Sequence, residues 1–114
     1  MKVVINQDFG GFDLSDVAFE KYLDLKGIEW CRVSHSGFSS YYKAGHMDES
    51  DYYLCVTDIE RNDPALIEVI EELGEEANGT YSSLKVIEIP DDVKWHIAEY
   101  DGREHVAEDH RTWY

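Results

Sequence analysis

The chain has 114 residues, near the size of one domain, and at 43% hydrophobic and 13% aromatic it is too apolar for a disordered segment. Its 25 acidic residues against 10 Lys and Arg give a formal charge of −15, which repels DNA, RNA and anionic lipid at long range and argues against nucleic-acid binding. The arginines, Arg32, Arg61, Arg103 and Arg111, are scattered in sequence, so no basic patch offsets that field. The same field suits a basic protein partner or a cation, and it also keeps a small protein soluble.

No run approaches the ~20 apolar residues of a membrane span, so no membrane partner is expected. "MKVVINQDFGG" has neither the apolar core nor the small-residue cleavage site of a signal peptide. The expectation is therefore a reducing cytoplasm, with Cys31 and Cys55 as free, buried packing groups. Two cysteines without close spacing do not make a zinc motif, and no cofactor is expected.

In chain order, "KVVIN" (2–6) reads as a short buried strand. "QDFGGFDLS" turns the chain, with Gly10 and Gly11 permitting positive φ or a close backbone approach. Ser15 or Asp13 can cap a helix running to about Lys26, whose core face is Ala18, Phe19, Tyr22, Leu23 and Leu25. Gly27 is a natural stop. "IEWCRVS" (28–34) reads as a strand, residues 35–50 as a polar loop, and "DYYLCVTDI" (51–59) as another strand.

The helix signal over 63–77 is the clearest in the chain. Asp63 caps it, Pro64 takes the first helical position, and Leu66, Ile67, Ile70, Leu73 and Ala77 share one face. Glu68, Glu71, Glu72, Glu75 and Glu76 cover the other face, and the glutamates of the last turn oppose the helix dipole. Gly74, at about 1 kcal/mol inside a helix, makes that last turn weak. Arg61, just before this acidic helix, reads as a local ion pair. "LKVIEIP" (84–90) is a strand that Pro90 ends. These elements predict one α+β domain over 1–114, with about six strands in a mixed, largely antiparallel sheet, two helices packed on one face, and a closing β-hairpin.

That hairpin turns at Asp101-Gly102, among the strongest two-residue turn signals. The turn pairs Tyr100 with Arg103, Glu99 with Glu104, Ala98 with His105, Ile97 with Val106 and His96 with Ala107. Trp95, Ile97 and Val106 are then the natural core face. Glu99 opposite Glu104 is unfavourable, so the tip is expected to project into water or to meet a cation. His96 and His105 become diagonal neighbours, roughly 7–8 Å apart.

Three kinds of site are legible. Histidines His96, His105 and His110 could converge on a metal, although no HExxH or paired CxxC spacing supports one. Acid–base work by His105 with Glu104 or Glu108 would need a cleft that the sequence does not display. A small-ligand or nucleotide site could be built from the Gly10-Gly11 loop with Arg103, His105, His110 and Arg111, and Trp113 beside them. The loop lacks the GxGxxG and P-loop patterns, and Asp8 and Asp13 would repel phosphate. Such a pocket in so small a chain would imply a homo-oligomer. Phe38, Tyr41 and Tyr42 are candidate anchors if 35–50 is a binding loop.

The strings "MKVVIN…GGFDLS", "RNDPALIEVIEELGEEANG", "LKVIEIPDDVKWHIAEYDG" and "EDHRTW" resemble a family of small uncharacterised proteins encoded by bacteriophages and prophages. The resemblance leaves out residues 35–50. It brings no assigned activity, but it implies a bacterial host cytoplasm and action by binding. The preferred expectation is thus a small acidic accessory protein that binds a host protein without catalysis.

Overall fold

The computed structural model describes residues 1–109; His110, Arg111 and Trp113 lie outside them. Its strands are β1 (Lys2–Asn6), β2 (Trp30–His35), β3 (Phe38–Lys43), β4 (Tyr53–Leu54), β5 (Leu84–Glu88), β6 (Trp95–Tyr100) and β7 (Arg103–Glu108). Helix α1 (Asp16–Leu25) follows β1, and α2 (Pro64–Leu73) follows β4. The fold is α+β and its strand pairs are antiparallel. The strands do not merge into one six-stranded mixed sheet. They form three small ones, β1–β5, β2–β3–β4 and β6–β7.

The reason lies at the outer edge of β1. Where a third strand would pair, the Val4 N–H donates to the Arg61 carbonyl at 2.8 Å, and the Asn6 N–H donates to the Glu104 carboxylate at 2.8 Å. A loop residue and a side chain thus satisfy the edge that a neighbouring strand would otherwise occupy.

Both helices begin as their sequences dictate. The Ser15 hydroxyl accepts from Ala18 N–H at 3.2 Å and the Asp63 carboxylate accepts from Ala65 N–H at 2.9 Å, with Pro64 in the first turn of α2. Ala18, Phe19, Tyr22 and Leu23 of α1 meet Leu66, Val69 and Ile70 of α2 in one core that includes Val4 and Tyr41. Gly74, at φ 57°, stops α2 at Leu73, and a 3-10 turn (Gly74–Ala77) replaces the expected continuation.

Three further expectations need correction. Residues 35–50 are not one loop. Ser36 and Gly37, at φ 47° and 89°, make a two-residue turn that sends the chain back as β3, with Cys31 opposite Tyr42. Within 51–59 only Tyr53–Leu54 is strand, flanked by 3-10 turns at Ser50–Tyr52 and Val56–Asp58. Cys31 and Cys55 are free but only half-buried.

The closing hairpin has the expected register, from Tyr100↔Arg103 to Trp95↔Glu108. The expected face is the one turned inward, but its most buried residue is not an apolar one. Trp95, Ile97 and Val106 are half-buried and stand outside the main core, whereas Glu104 is buried. Glu104 does meet a cation. Arg61 grips its carboxylate with both terminal nitrogens, at 2.5 and 2.8 Å, and lies 3.6 Å over the Phe12 ring. The partner of Arg61 is therefore the hairpin, 43 residues away, and not the acidic helix beside it.

Candidate functional site

Of the expected ligand site, the Gly10-Gly11 loop, Arg103 and His105 are described, and the loop meets the hairpin turn in close packing; His110, Arg111 and Trp113 lie outside the described residues. A Cβ at Gly10 would fall 2.1 Å from the Tyr81 carbonyl oxygen. A Cβ at Gly102 would fall 2.5 Å from the Gly11 nitrogen, so the hairpin turn lies directly on the glycine loop. Asn6, fully buried, ties the two together: its Nδ2 donates to the Gly102 and Asp8 carbonyls, each at 2.8 Å, and its Oδ1 accepts from Ser83 N–H at 2.9 Å. No phosphate fits between Gly11 and Gly102. Arg103 reaches back over the Phe9 ring at 5.9 Å.

Of the candidate metal ligands His96, His105 and His110, the first two are described and His110 lies outside the described residues. His96 pairs through Nδ1 with the Asp109 carboxylate, and His105 is exposed on β7. Among the described residues no three His, Cys, Asp or Glu side chains are grouped to hold a metal.

A different place in the fold has the shape of a site. A cleft of about 620 Å³ opens between the start of α1, the β2–β3 turn, the β4 region and the 78–81 segment. Phe12, Phe38, Tyr41, Tyr53 and Tyr81 give it aromatic walls, and Asp13 and Asp16 are its charged side chains. Among the described residues, no Lys, Arg or His lines it.

Its floor is built and its mouth is open. The Leu14 N–H donates to Asp13 Oδ1 at 2.9 Å, and Ser82 Oγ donates to the Asp13 carbonyl at 2.9 Å. Ser15 N–H donates to the Ala77 carbonyl at 2.9 Å, which zips 13–15 onto 77–82. Gly79 packs so tightly on Asp13 that a Cβ there would meet Oδ2 at 2.7 Å. Tyr41, buried, crosses Phe19 edge-to-face at 5.1 Å and donates its hydroxyl to Glu20 at 2.7 Å. Phe38 and Tyr81, at 78% and 74% exposure, stand at the rim as bare aromatic anchors.

Electrostatics single out the same residues. Loss of hydration pushes the Asp13 carboxyl above its ordinary range; the Leu14 N–H opposes that and the nearby Asp16 charge adds to it. Asp16 accepts from the Ser39 hydroxyl at 3.0 Å. Among the described residues, neither Asp13 nor Asp16 has a cationic partner, whereas Glu20, Asp63, Glu71, Glu72 and Glu104 each do. A second depression beside α2, near 730 Å³, is lined by Met1, Ile67, Glu68, Glu71 and Glu72, but Lys2 in its wall already neutralises Glu71.

Sequence reasoning named Phe38, Tyr41 and Tyr42 as exposed anchors; Phe38 is exposed, but Tyr41 is buried in the cleft wall and Tyr42 is half-buried outside the lining, and Asp13, Asp16, Tyr53 and Tyr81 were missed as companions. The four come from three separate segments, and no local pattern announces their meeting. Comparison with family models, with curated proteins and with solved structures finds no match for this chain.

Proposed function

We propose that this protein is a non-enzymatic binding protein whose partner is a basic protein. The observation that carries the reading is the cleft: aromatic walls and, among the described residues, two carboxylates without a cationic partner and no basic side chain in the lining. A chain of charge −15 draws a basic partner in at long range and sets it on exposed aromatic anchors. Aromatic residues that are exposed and rigidly based are the usual centres of binding energy.

Catalysis finds less support. His46 with Glu49 and His96 with Asp109 are histidine–carboxylate pairs, and neither lines the cleft. The strings that resemble phage and prophage proteins make the partner a host protein in the bacterial cytoplasm. A counter-defence or inhibitory role follows from that resemblance.

The test is affinity capture from bacterial extract at low and at high salt, with the retained proteins identified by mass. The reading expects one or a few basic proteins that salt releases. Retention of acidic proteins only, or of a nucleotide in place of a protein, would contradict it.

A further inference from the structure

We propose that the cleft receives an arginine side chain from the partner, with the guanidinium paired to Asp13 and Asp16 and stacked on the rim aromatics Phe38 and Tyr81. The proposal rests on the basic-partner reading above and names the chemical group that the site recognises. Cleft geometry and charge carry it together.

The two carboxylates belong to the residues just before and at the start of α1, and the backbone that carries them is fixed. Asp13 is held by Leu14, Ser82 and Gly79, and Asp16 follows the capping Ser15. Little reorganisation is needed when a cation arrives, which favours affinity. Asp13 and Asp16 both line a cleft that no base lines among the described residues, so they form a site of unbalanced negative charge; loss of hydration raises the Asp13 pKa and the Asp16 charge adds to it. One planar guanidinium carries enough donors to serve both acids at once, in the fork geometry that carboxylates prefer.

Aromatic walls choose between the two basic side chains. A guanidinium stacks flat on a ring and gives up its weak hydration readily, whereas an ammonium is a compact and strongly hydrated charge. The chain itself holds an arginine in this manner. Arg61 is clamped between the Phe12 ring at 3.6 Å and the Glu104 carboxylate at 2.5 and 2.8 Å. Phe12 also lines the cleft.

The test uses fluorescence anisotropy with three labelled peptides of equal length: alternating Arg and Gly, alternating Lys and Gly, and alternating Glu and Gly. The full chain is compared with Asp13→Asn/Asp16→Asn, with Phe38→Ala/Tyr81→Ala, and with Glu88→Gln/Asp92→Asn as a control outside the cleft lining. Phe38, Tyr81, Glu88 and Asp92 are exposed, and Asn keeps an acceptor for the hydrogen bonds of Asp13 and Asp16, so melting curves of the variants should confirm intact folds.

The expected result is binding of the Arg peptide, about tenfold weaker binding of the Lys peptide, and none of the Glu peptide. Each cleft variant should weaken the Arg peptide by about 30-fold, as loss of a hot-spot contact does, while the control changes it by about twofold or less. Arg binding that survives both cleft variants would overturn the cleft assignment and leave the basic-partner reading intact. Equal binding of the Lys peptide would overturn the choice of arginine. Failure of the unaltered chain to bind either basic peptide would overturn both.

Discussion

Glu104→Ala offers a demanding test of how the hairpin is held. The Glu104 side chain is 6% exposed and that of its partner Arg61 20%, so the pair is largely out of water. The same carboxylate is the acceptor for the Asn6 N–H at the outer edge of β1. Removing it leaves a mostly buried guanidinium without its anion and a buried N–H without its acceptor. Breaking a buried pair from one side costs about 3–5 kcal/mol. Arg61 is partly wet, which lowers that figure, and the orphaned N–H raises it again, so about 4 kcal/mol is expected overall. At about 2.1 cal/mol/K per residue for the unfolding entropy, this corresponds to a Tm lower by roughly 17 °C. Glu104→Gln keeps an acceptor for Asn6 and should lose about half as much. The double replacement Arg61→Met/Glu104→Leu, which removes both charges, should be less damaging than the sum of its single changes. Urea and thermal unfolding followed by circular dichroism measure all of these. A loss below about 1 kcal/mol for Glu104→Ala would refute the claim that this pair locks the hairpin to β1.

Two further outcomes follow from the packing and the pKa shifts. Gly102→Ala should destabilise by at least about 2 kcal/mol, because its φ of 86° disfavours a side chain and the new Cβ would press on the Gly11 nitrogen at 2.5 Å; unfolding melts report it. Asp13 and Asp63 should show opposite pH dependence. The raised pKa of Asp13 means that its charged form disfavours the folded state, so Asp13→Asn should raise Tm at neutral pH and lose that advantage below about pH 3. Burial works against the Asp63 charge too, but hydrogen bonds from the Tyr22 hydroxyl, the Ala65 N–H and Lys26 outweigh it and hold its pKa low. Its stabilisation is present above the ordinary value near ~3.9 and fades as pH falls through the lowered one, so Asp63→Asn should lower Tm at neutral pH and converge with the parent in acid. Thermal melts from acid to neutral pH check both.

Elements defined by neighbouring residues were legible in the sequence. Ser15 and Asp63 as caps, Gly27 as a stop and the Asp101-Gly102 register all rest on interactions within a few residues. The Ser36-Gly37 turn was equally local, yet the polar composition around it reads as loop, and its flanks "WCRVSH" and "FSSYYK" lack clean alternation. What local pattern cannot supply is a partner far along the chain. Arg61 sits beside the three glutamates of α2 in sequence, and its carboxylate is Glu104. Val106 alternates as a core residue should, yet burial on β7 goes to Glu104, because the β1 edge needs an acceptor more than it needs another methyl group. The glycine loop was legible as a close backbone approach, but what approaches is the hairpin turn. The cleft was hidden for the same reason: Asp13, Phe38, Tyr53 and Tyr81 are brought together only by the packing of α1, the β2–β3 turn and the 78–81 segment.

The most direct measurement of the central claim is an amide NMR titration of the labelled protein with the alternating Arg and Gly peptide. The largest shifts should fall on Asp13, Leu14, Asp16, Phe38, Ser39 and Tyr81, around one cleft. Shifts confined to the glutamates of α2, or spread evenly over all acidic residues, would mean that the negative field binds the peptide without a site, and the cleft would lose its claim to function.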